Sequence, residues 1–551
     1  MKYSRKMVTG ANLAAFYENL FVGTSTNYGF LSYPHTFCPI PNKELILPLP
    51  FMEILSTKPM QMANSKIQTA HCYKVHPRME DTRLDHMVFA QSLGVDFLSI
   101  LEKKGYTIDN KTKVAFLIFL LIHDIGHGPF SHPFEQMVDG YKGMHEDIGK
   151  RTLQEWDELH TALESIYPGL TERLIHFKEY DEYGLNSLLE GVFDLDRAAF
   201  LIMDTFLMDG EEKSDAFYDI VDSIYKIFDS IILRNGKVYY DYKCFREMDD
   251  FLRIRKENYE EYQSPKRVLD DLILRRIGEE ADTVVSKKQI LFKSLPITIQ
   301  EEIARFLLFI RHMKKEKSNV NLREYYSFGD YHFERVFQLL LLLDDPNLTR
   351  DCILILSSFE DYDKYYDIAV NSEKSGREDF YVDNRFTIYK SKKDENITFL
   401  KGEEEIDYKD CVGRLVEGEV FLETISYTLK EPARLSLEGE LRESLLQEIN
   451  GELRNSGYHL EYLVERFPSD EPVIEAIKNY AKSVKANISF EEHARLYGLT
   501  KNQLLAYLVL YTSNSLVSKN AMMLLSEHLG YYFTEEEASI RLKNKQYKIT
   551  E

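Results

Sequence analysis

Cysteine is scarce and scattered. The 551-residue chain has five, at Cys38, Cys72, Cys244, Cys352 and Cys411, with no CxxC pair and no paired spacing. That excludes a disulfide-stapled scaffold and fits reduced core thiols in a cytoplasmic protein. Long apolar runs are also missing. The longest, 114–122, is too short to cross a bilayer, so no membrane association is expected. The first residues, MKYSRKMVTG, hold no signal-peptide core. Positive charge is in deficit: 68 Lys and Arg against 90 Asp and Glu give a net charge of −22. Such a surface repels a phosphate backbone, so nucleic-acid binding is not expected. There is no internal repeat.

What remains is a long, ordinary globular composition, 44% hydrophobic and 29% charged, with room for two or three domains. Residues 1–50 form an irregular lead-in: a short helix fits 12–21, while Pro39, Pro41, Pro48 and Pro50 exclude a long one. Helical patterning starts at Phe51. Asp81 or Thr82 can cap a helix ending before Gly105. Asp109 can cap the next, over 110–125. Further helices fit 146–166, 185–207, 246–280 with a break at Pro265, 299–313, 331–343 and 348–356. After Asn235-Gly236, residues 237–242 are the best strand candidate. The expected division is 51–365 for the main domain, 366–410 for a charged linker or insertion, and 411–551 for a helical C-terminal region without a readable motif. There, 435–453 and 503–516 are expected to be supporting helices.

The chemistry concentrates in 117–132, LIFLLIHDIGHGPFSH. An apolar run ends in His123-Asp124, and His127 and His132 follow. Imidazole and carboxylate suit a divalent ion. Neighbouring helical residues point about 100° apart, so His123 and Asp124 need further ligands from elsewhere. His86, in DTRLDH, and Asp196, in DLDR, complete a set of two imidazoles and two carboxylates.

That set, with HDIGHGPFSH between TRLDH and DLDR, resembles the HD-domain deoxynucleoside triphosphate triphosphohydrolases, over about 54–356. The resemblance implies a mostly α fold: an HD-domain helical phosphohydrolase core with a small β element and an additional helical C-terminal region. It implies one divalent metal ion at His86, His123, Asp124 and Asp196; Mg, Mn, Fe, Zn, Co and Ni all fit the donor set. It implies catalytic roles for His127, His132, His145 and Glu146, with His132 as the general acid; a histidine suits that task near neutral pH. Glu135 stands where the family has Asp and is expected to orient His132. Substrate contacts are implied at Gln68, Arg83, Arg197, Phe200, Asp204, Tyr262 and Lys266. An ion pair with Asp194 competes with the phosphate role of Arg197. The activity implied is hydrolysis of (deoxy)nucleoside triphosphates to nucleoside and inorganic triphosphate. A homo-oligomer, dimer or tetramer, is expected, with a nucleotide activator. Two alternatives stand beside this reading: an HD phosphodiesterase or nucleotidase acting on another phosphoester, and a non-catalytic nucleotide sensor.

The chain departs from the family in two places. The motif DVDxxDYxxRD becomes DLDRAAFLIMD over 194–204. Asp196 and Asp204 survive, but Ala199 and Phe200 replace Asp and Tyr, removing a hydroxyl near the sugar, and Thr69 replaces a bulky residue that excludes a 2′-hydroxyl. The stretch DTPxFQRLR, which recognises a guanine activator, becomes STKPMQMAN over 56–64. Both recognition residues are lost, so a guanine activator site of that kind is not expected.

Overall fold

The computed structural model describes residues 10–21, 30–32, 38–40, 43 and 45–356, save 75, 77, 142, 209–214, 263–264, 296 and 344. Beyond these it describes 366–370, 381–387, 397–407, 422–429, 492, 495–496, 539–542 and 545–548. The fold is mostly helical with small sheets.

The organising helix is α1 (Arg83–Lys103). Thr82 is its cap. The Thr82 hydroxyl accepts from the Asp85 N–H at 3.1 Å, and Asp85 accepts from the Thr82 N–H at 2.9 Å, so otherwise unpaired amide donors are satisfied reciprocally. Gly105, at φ +88°, stops the helix. By length and composition α1 could cross a membrane, yet 89% of its most apolar window is buried inside the protein. It is the core helix.

Helix α2 (Asn110–Ile122) is capped by Asp109, which accepts from the Thr112 N–H at 2.9 Å. It packs closely on α1 because Gly94 lacks a side chain; a β-carbon there would lie 2.6 Å from Leu120. The sequence pattern carried this helix to residue 125, but it stops at Ile122. The His123 ring takes the Leu120 carbonyl at 2.9 Å, the Ile125 N–H turns to the Ile122 carbonyl at 3.0 Å, and beyond the end the carbonyls of Ile125 and Gly126 accept from the hydroxyls of Tyr326 and Tyr325, at 3.1 and 2.7 Å. The histidines that follow therefore ride on a turn, and on α3 (His132–Met137) and α4 (Met144–Glu155). The helix expected over 146–166 breaks at Trp156, whose backbone is extended. The one expected over 185–207 divides into a single turn, Ser187–Glu190, and α5 (Leu195–Met208), which packs on α1. At the break, a β-carbon on Gly191 would lie 1.9 Å from the Ser187 carbonyl oxygen.

The strand expected over 237–242 is β2 (Lys237–Asp241); it forms a hairpin with β1 (Ile231–Arg234) around Asn235 and Gly236, both at positive φ. The stretch 366–410, expected as linker or insertion, contributes to the same sheet. There β3 (Thr398–Lys401) runs parallel to β2, pairing Phe399 with Tyr240, and β4 (Glu404–Asp407) returns antiparallel. Phe399 is fully buried in the main core. A second sheet pairs Tyr366–Val370 and Tyr381–Thr387 with Leu422–Leu429, and Ser539–Leu542 pairs with Lys545–Lys548. Of these strands, Leu422–Leu429, Ser539–Leu542 and Lys545–Lys548 lie in the C-terminal region expected to be helical, and the other two lie in the expected linker or insertion. The expected helices at 435–453 and 503–516 lie outside the described residues.

Helices α6 (Pro265–Lys287), α7 (Ile297–Glu316), α8 (Asp330–Leu340) and α9 (Pro346–Leu356) make a second layer with an aromatic core. Phe134 stacks on Phe309 at 5.8 Å and meets Phe333 edge-on. Phe130 lies 5.9 Å from Phe333 and 6.2 Å from Phe337. Both phenylalanines are buried, so the HGPFSHPF segment is plugged into this layer between its histidines.

Candidate active site

Four side chains converge at the junction of α1, α2 and α5. His86 and Asp196 come from the first turns of α1 and α5; His123 and Asp124 follow the end of α2. His86 Nε2 lies 2.8 Å from Asp196 Oδ1 and 3.3 Å from His123 Nε2, and His123 Nε2 lies 3.2 Å from Asp196 Oδ1. Asp124 Oδ2 is 3.6 Å from His123 Nε2 and 3.9 Å from His86 Nε2. The His123 Nδ1–H donates to the Leu120 carbonyl at 2.9 Å, which fixes the tautomer and turns the Nε2 lone pair inward.

The electrostatics suit a cation. Burial disfavours a charged His123, but Asp124 and Asp196 outweigh it and push its pKa up to about 9. Burial likewise disfavours a charged Asp196, but His123 and His86 hold it well below the usual carboxylate range. Two carboxylates thus draw a proton onto an imidazole at a point where a divalent ion would supply the charge, and the mixed N and O donors fit such an ion.

A second group adjoins the first. His127 Nε2 is 3.4 Å from Asp124 Oδ1. His127 and His145 stack with ring centres 3.9 Å apart and 14° between planes, and His132 stands edge-on to both. Ligand-capable atoms of His127, His132, Glu135 and His145 lie within 4.8 Å of one another. Ring nitrogens direct their lone pairs in the ring plane. Two nearly parallel stacked rings cannot both aim at one ion, so the arrangement favours proton handling over a second metal.

Glu135, expected to orient His132, instead accepts from His145, from Nδ1 at 2.5 Å and from the backbone N–H at 3.1 Å. One helical turn of α3 and the start of α4 bring those two together. Glu146 is exposed in the first turn of α4, with its carboxyl group near Gly143, outside the four-residue group. Burial, then Arg83 and His145, hold His127 well below the usual histidine pKa. Although His132 sits on the exposed rim, desolvation of its ring, Arg83 and His145 push it down to about 4.

The expected substrate contacts separate into groups. Arg83 is buried; it donates to Asp124, to Ser131 Oγ at 3.0 Å and to the Gln68 carbonyl at 3.1 Å. Arg197 pairs with Asp194 at 2.6 Å and donates to the Gly191 carbonyl. Gln68 Oε1 and Asp204 Oδ1 are buried without hydrogen-bond partners among the described residues, and Tyr262 donates to the other oxygen of Asp204. Burial, then Asp81, push Asp204 well above the carboxylate range. Phe200 is half-buried. Lys266 lies in α6, and its side chain is outside the described set.

Several neighbours gave no sequence signal. Lys66, 1% exposed, donates to the His127 carbonyl and lies over the rings of Tyr325 and Tyr326, at 5.4 and 5.2 Å. Burial pushes it down to about 7 and pushes Asp330 up to about 7. Asp330 accepts from the Phe130 and Ile67 N–H groups. Both residues come from segments the active-site motif does not include. The paired phenylalanines of HGPFSHPF were the available hint that the segment is anchored.

The chain matches no protein-family model. It is similar to an uncharacterized protein of Methanocaldococcus jannaschii, 28% identical over 167 residues, 30% of this chain and 32% of that one. It is similar to the uncharacterized protein YwfO of Bacillus subtilis, 22% identical over 53% of this chain and 58% of that one. A deoxynucleoside triphosphate triphosphohydrolase SAMHD1 homolog of Dictyostelium discoideum is 24% identical over 44% of this chain and 55% of that one. The matches thus span 32% to 58% of the length of these relatives. Among solved structures, a phosphohydrolase from Bacteroides thetaiotaomicron superposes with a TM-score of 0.54 at 17% identity, covering 69% of this chain and 94% of that one. The two share a fold.

Proposed function

We propose that this chain is an HD-type, metal-dependent phosphohydrolase. Its proposed substrate is a nucleoside triphosphate, cut between the 5′ oxygen and the α-phosphorus to leave a nucleoside and inorganic triphosphate. The convergence of His86, His123, Asp124 and Asp196, with ligand atoms of three of them within 4.8 Å, carries the reading. The distant likeness to the Dictyostelium triphosphohydrolase and the fold shared with the Bacteroides phosphohydrolase support its general class.

A bound divalent ion would supply Lewis-acid polarisation of the phosphoryl group. The chain's own groups do the rest. Water attacks the α-phosphorus and gives up a proton to solvent, the bond to the 5′ oxygen breaks, and the leaving oxygen takes a proton. His132, on the exposed rim, is the donor in this reading, the anionic triphosphate favouring its protonated ring against the desolvation and Arg83 that push it down. The hydrogen-bonded Glu135–His145 pair beside it can return that proton from solvent. Gln68 Oε1 and Asp204 Oδ1, both buried without partners among the described residues, suit sugar hydroxyls, which can donate to the amide oxygen and accept from a protonated carboxyl, since an unmet buried polar group is costly. Thr69 and Phe200 leave room for ribose as well as deoxyribose.

The test is turnover of the four dNTPs and four NTPs with Mg²⁺, Mn²⁺ or Co²⁺, with products separated by ion exchange. Nucleoside plus intact triphosphate, abolished in the His123→Ala/Asp124→Ala double variant, is the expected result. Release of phosphate, pyrophosphate or a nucleotide would move the chain to another phosphoester reaction. Tight binding without turnover would make it a sensor.

A further inference from the structure

Asp330 lies 200 residues from Phe130 in sequence, opens α8, and is 5% exposed. Its Oδ1 accepts from the Phe130 N–H at 2.7 Å and its Oδ2 from the Ile67 N–H at 2.8 Å. Its own N–H donates to the Ser65 carbonyl at 3.1 Å. The backbone it grips is strained: Phe130 and Ser131 have φ of +55° and +60°, a region side-chain-bearing residues rarely occupy. Such conformations persist only where the surroundings over-determine them. Here Ser131 Oγ also donates to the Ile67 carbonyl at 3.0 Å, and Lys66 holds the His127 carbonyl.

We propose that Asp330 is a positioning residue: by gripping the Phe130 and Ile67 amides it keeps the Phe130–Ser131 turn left-handed, and so sets where His127 and His132 present their rings beside the ligand quartet. The catalytic consequence rests on the hydrolase reading above; the structural claim does not.

An ionised carboxylate is suited to this task because it offers two acceptors and no donor, and the Ile67 and Phe130 N–H bonds favour that form against burial. Asparagine keeps one acceptor, but its amide N–H groups would face a backbone N–H. His132 directly follows the strained pair, so a turn that relaxes carries the ring with it. The metal ligands are held by other elements: His86 and Asp196 by α1 and α5, and His123 by the end of α2. Loss of the grip therefore separates placement of the histidines from retention of the ion.

The experiment compares Asp330→Asn and Asp330→Ala with the full wild-type chain. It reads metal per chain by mass spectrometry, kcat and KM on the nucleotide that wild type turns over, and crystal structures. We expect kcat to fall in the order wild type, Asn, Ala, reaching a loss of about a hundredfold in Asp330→Ala, the scale that misplacement of about 1 Å produces. KM and bound metal stay close to wild type, and the Phe130–Ser131 turn and the His132 ring shift. The proposal is overturned if kcat in Asp330→Ala stays near wild type, if activity falls only in step with bound metal and folded fraction, or if the turn and rings do not move. Should wild type hydrolyse no nucleotide, the functional reading fails, and the crystallographic comparison alone decides the positioning claim. Should Asp330→Ala not fold, Asp330→Asn, which can keep one of the two bonds, carries the same comparison.

Discussion

The guanidinium of Arg83 donates to Asp124 Oδ2, the same carboxylate oxygen that faces His86 and His123. Arg83 and a protonated His123 are the protein's own cations that offset this carboxylate. Removing Arg83 in Arg83→Ala leaves His123 as the remaining charged partner and is expected to cost about 1–3 kcal/mol, the scale of a lost hydrogen bond to a buried charged group. A divalent ion held by the quartet takes over that role, so the cost should shrink when Mn²⁺ is saturating. Urea denaturation of both proteins with and without Mn²⁺ measures this. An equal cost in the two conditions would mean that Asp124 does not face the ion.

Gly126 is where the histidine-bearing turn meets α4. A β-carbon there would lie 2.0 Å from the His145 carbonyl oxygen and 2.5 Å from the Gly149 nitrogen, backbone atoms that can yield only if the helix moves. Gly126→Ala should lose about 1–3 kcal/mol, as overpacking does. It should also reduce kcat by at least about tenfold at temperatures well below melting, because His145 is displaced with the helix. Thermal melts and steady-state kinetics on one preparation check both. Unchanged kcat in a destabilised protein would show that His145 can move without consequence.

His332 gives the protein an acid sensitivity remote from the quartet. Its Nδ1 accepts from the Gly329 N–H at 3.0 Å, which requires an unprotonated nitrogen. Burial, then Arg305, Lys58 and Arg335, push its pKa down from 6.5 to about 4. The unfolded chain binds the proton more tightly, so the contribution is fully present above pH 6.5 and is lost as pH falls toward 4. With the ring only half-buried, about 1–2 kcal/mol is the expected size after solvent screening. Urea midpoints of wild type and His332→Gln at pH 7 and pH 4.5 test it: the gap between them should narrow or reverse at the lower pH.

The helical core and the ligand quartet were legible because their signals are local. Apolar periodicity, the Thr82 and Asp109 caps, and HD placed behind an apolar run all lie within a few residues of what they specify. The partner of Glu135 was not legible. Whether it meets His132 or His145 depends on the chain path through Gly140 and Gly143, and the structure chooses His145. Helix α2 ends three residues short of its apolar pattern because the His123 ring takes the Leu120 carbonyl that a continuing helix would give to the Asp124 N–H, and the Ile125 N–H turns to the Ile122 carbonyl. Lys66 and Asp330 carry no motif, and only tertiary contact gives them a part. Short strands such as Thr398–Lys401, set among charged residues, resemble linker because their alternation covers too few positions to stand out.

Pairing of that strand with Tyr240 and Asp241 bears on where the chain can be cut. Linear reading ends the main domain near residue 365, yet the sheet that starts with the Ile231–Arg234 strand borrows its third strand from beyond that point. A version trimmed at 365 would leave the Lys237–Asp241 strand with an unmet row of amides and carbonyls, the kind of rim on which separate chains zip together. It would also open a void where Phe399 sat. Solubility, rather than catalysis, would be the first property such a fragment loses, and a stable fragment is expected to need at least the strand ending at Lys401.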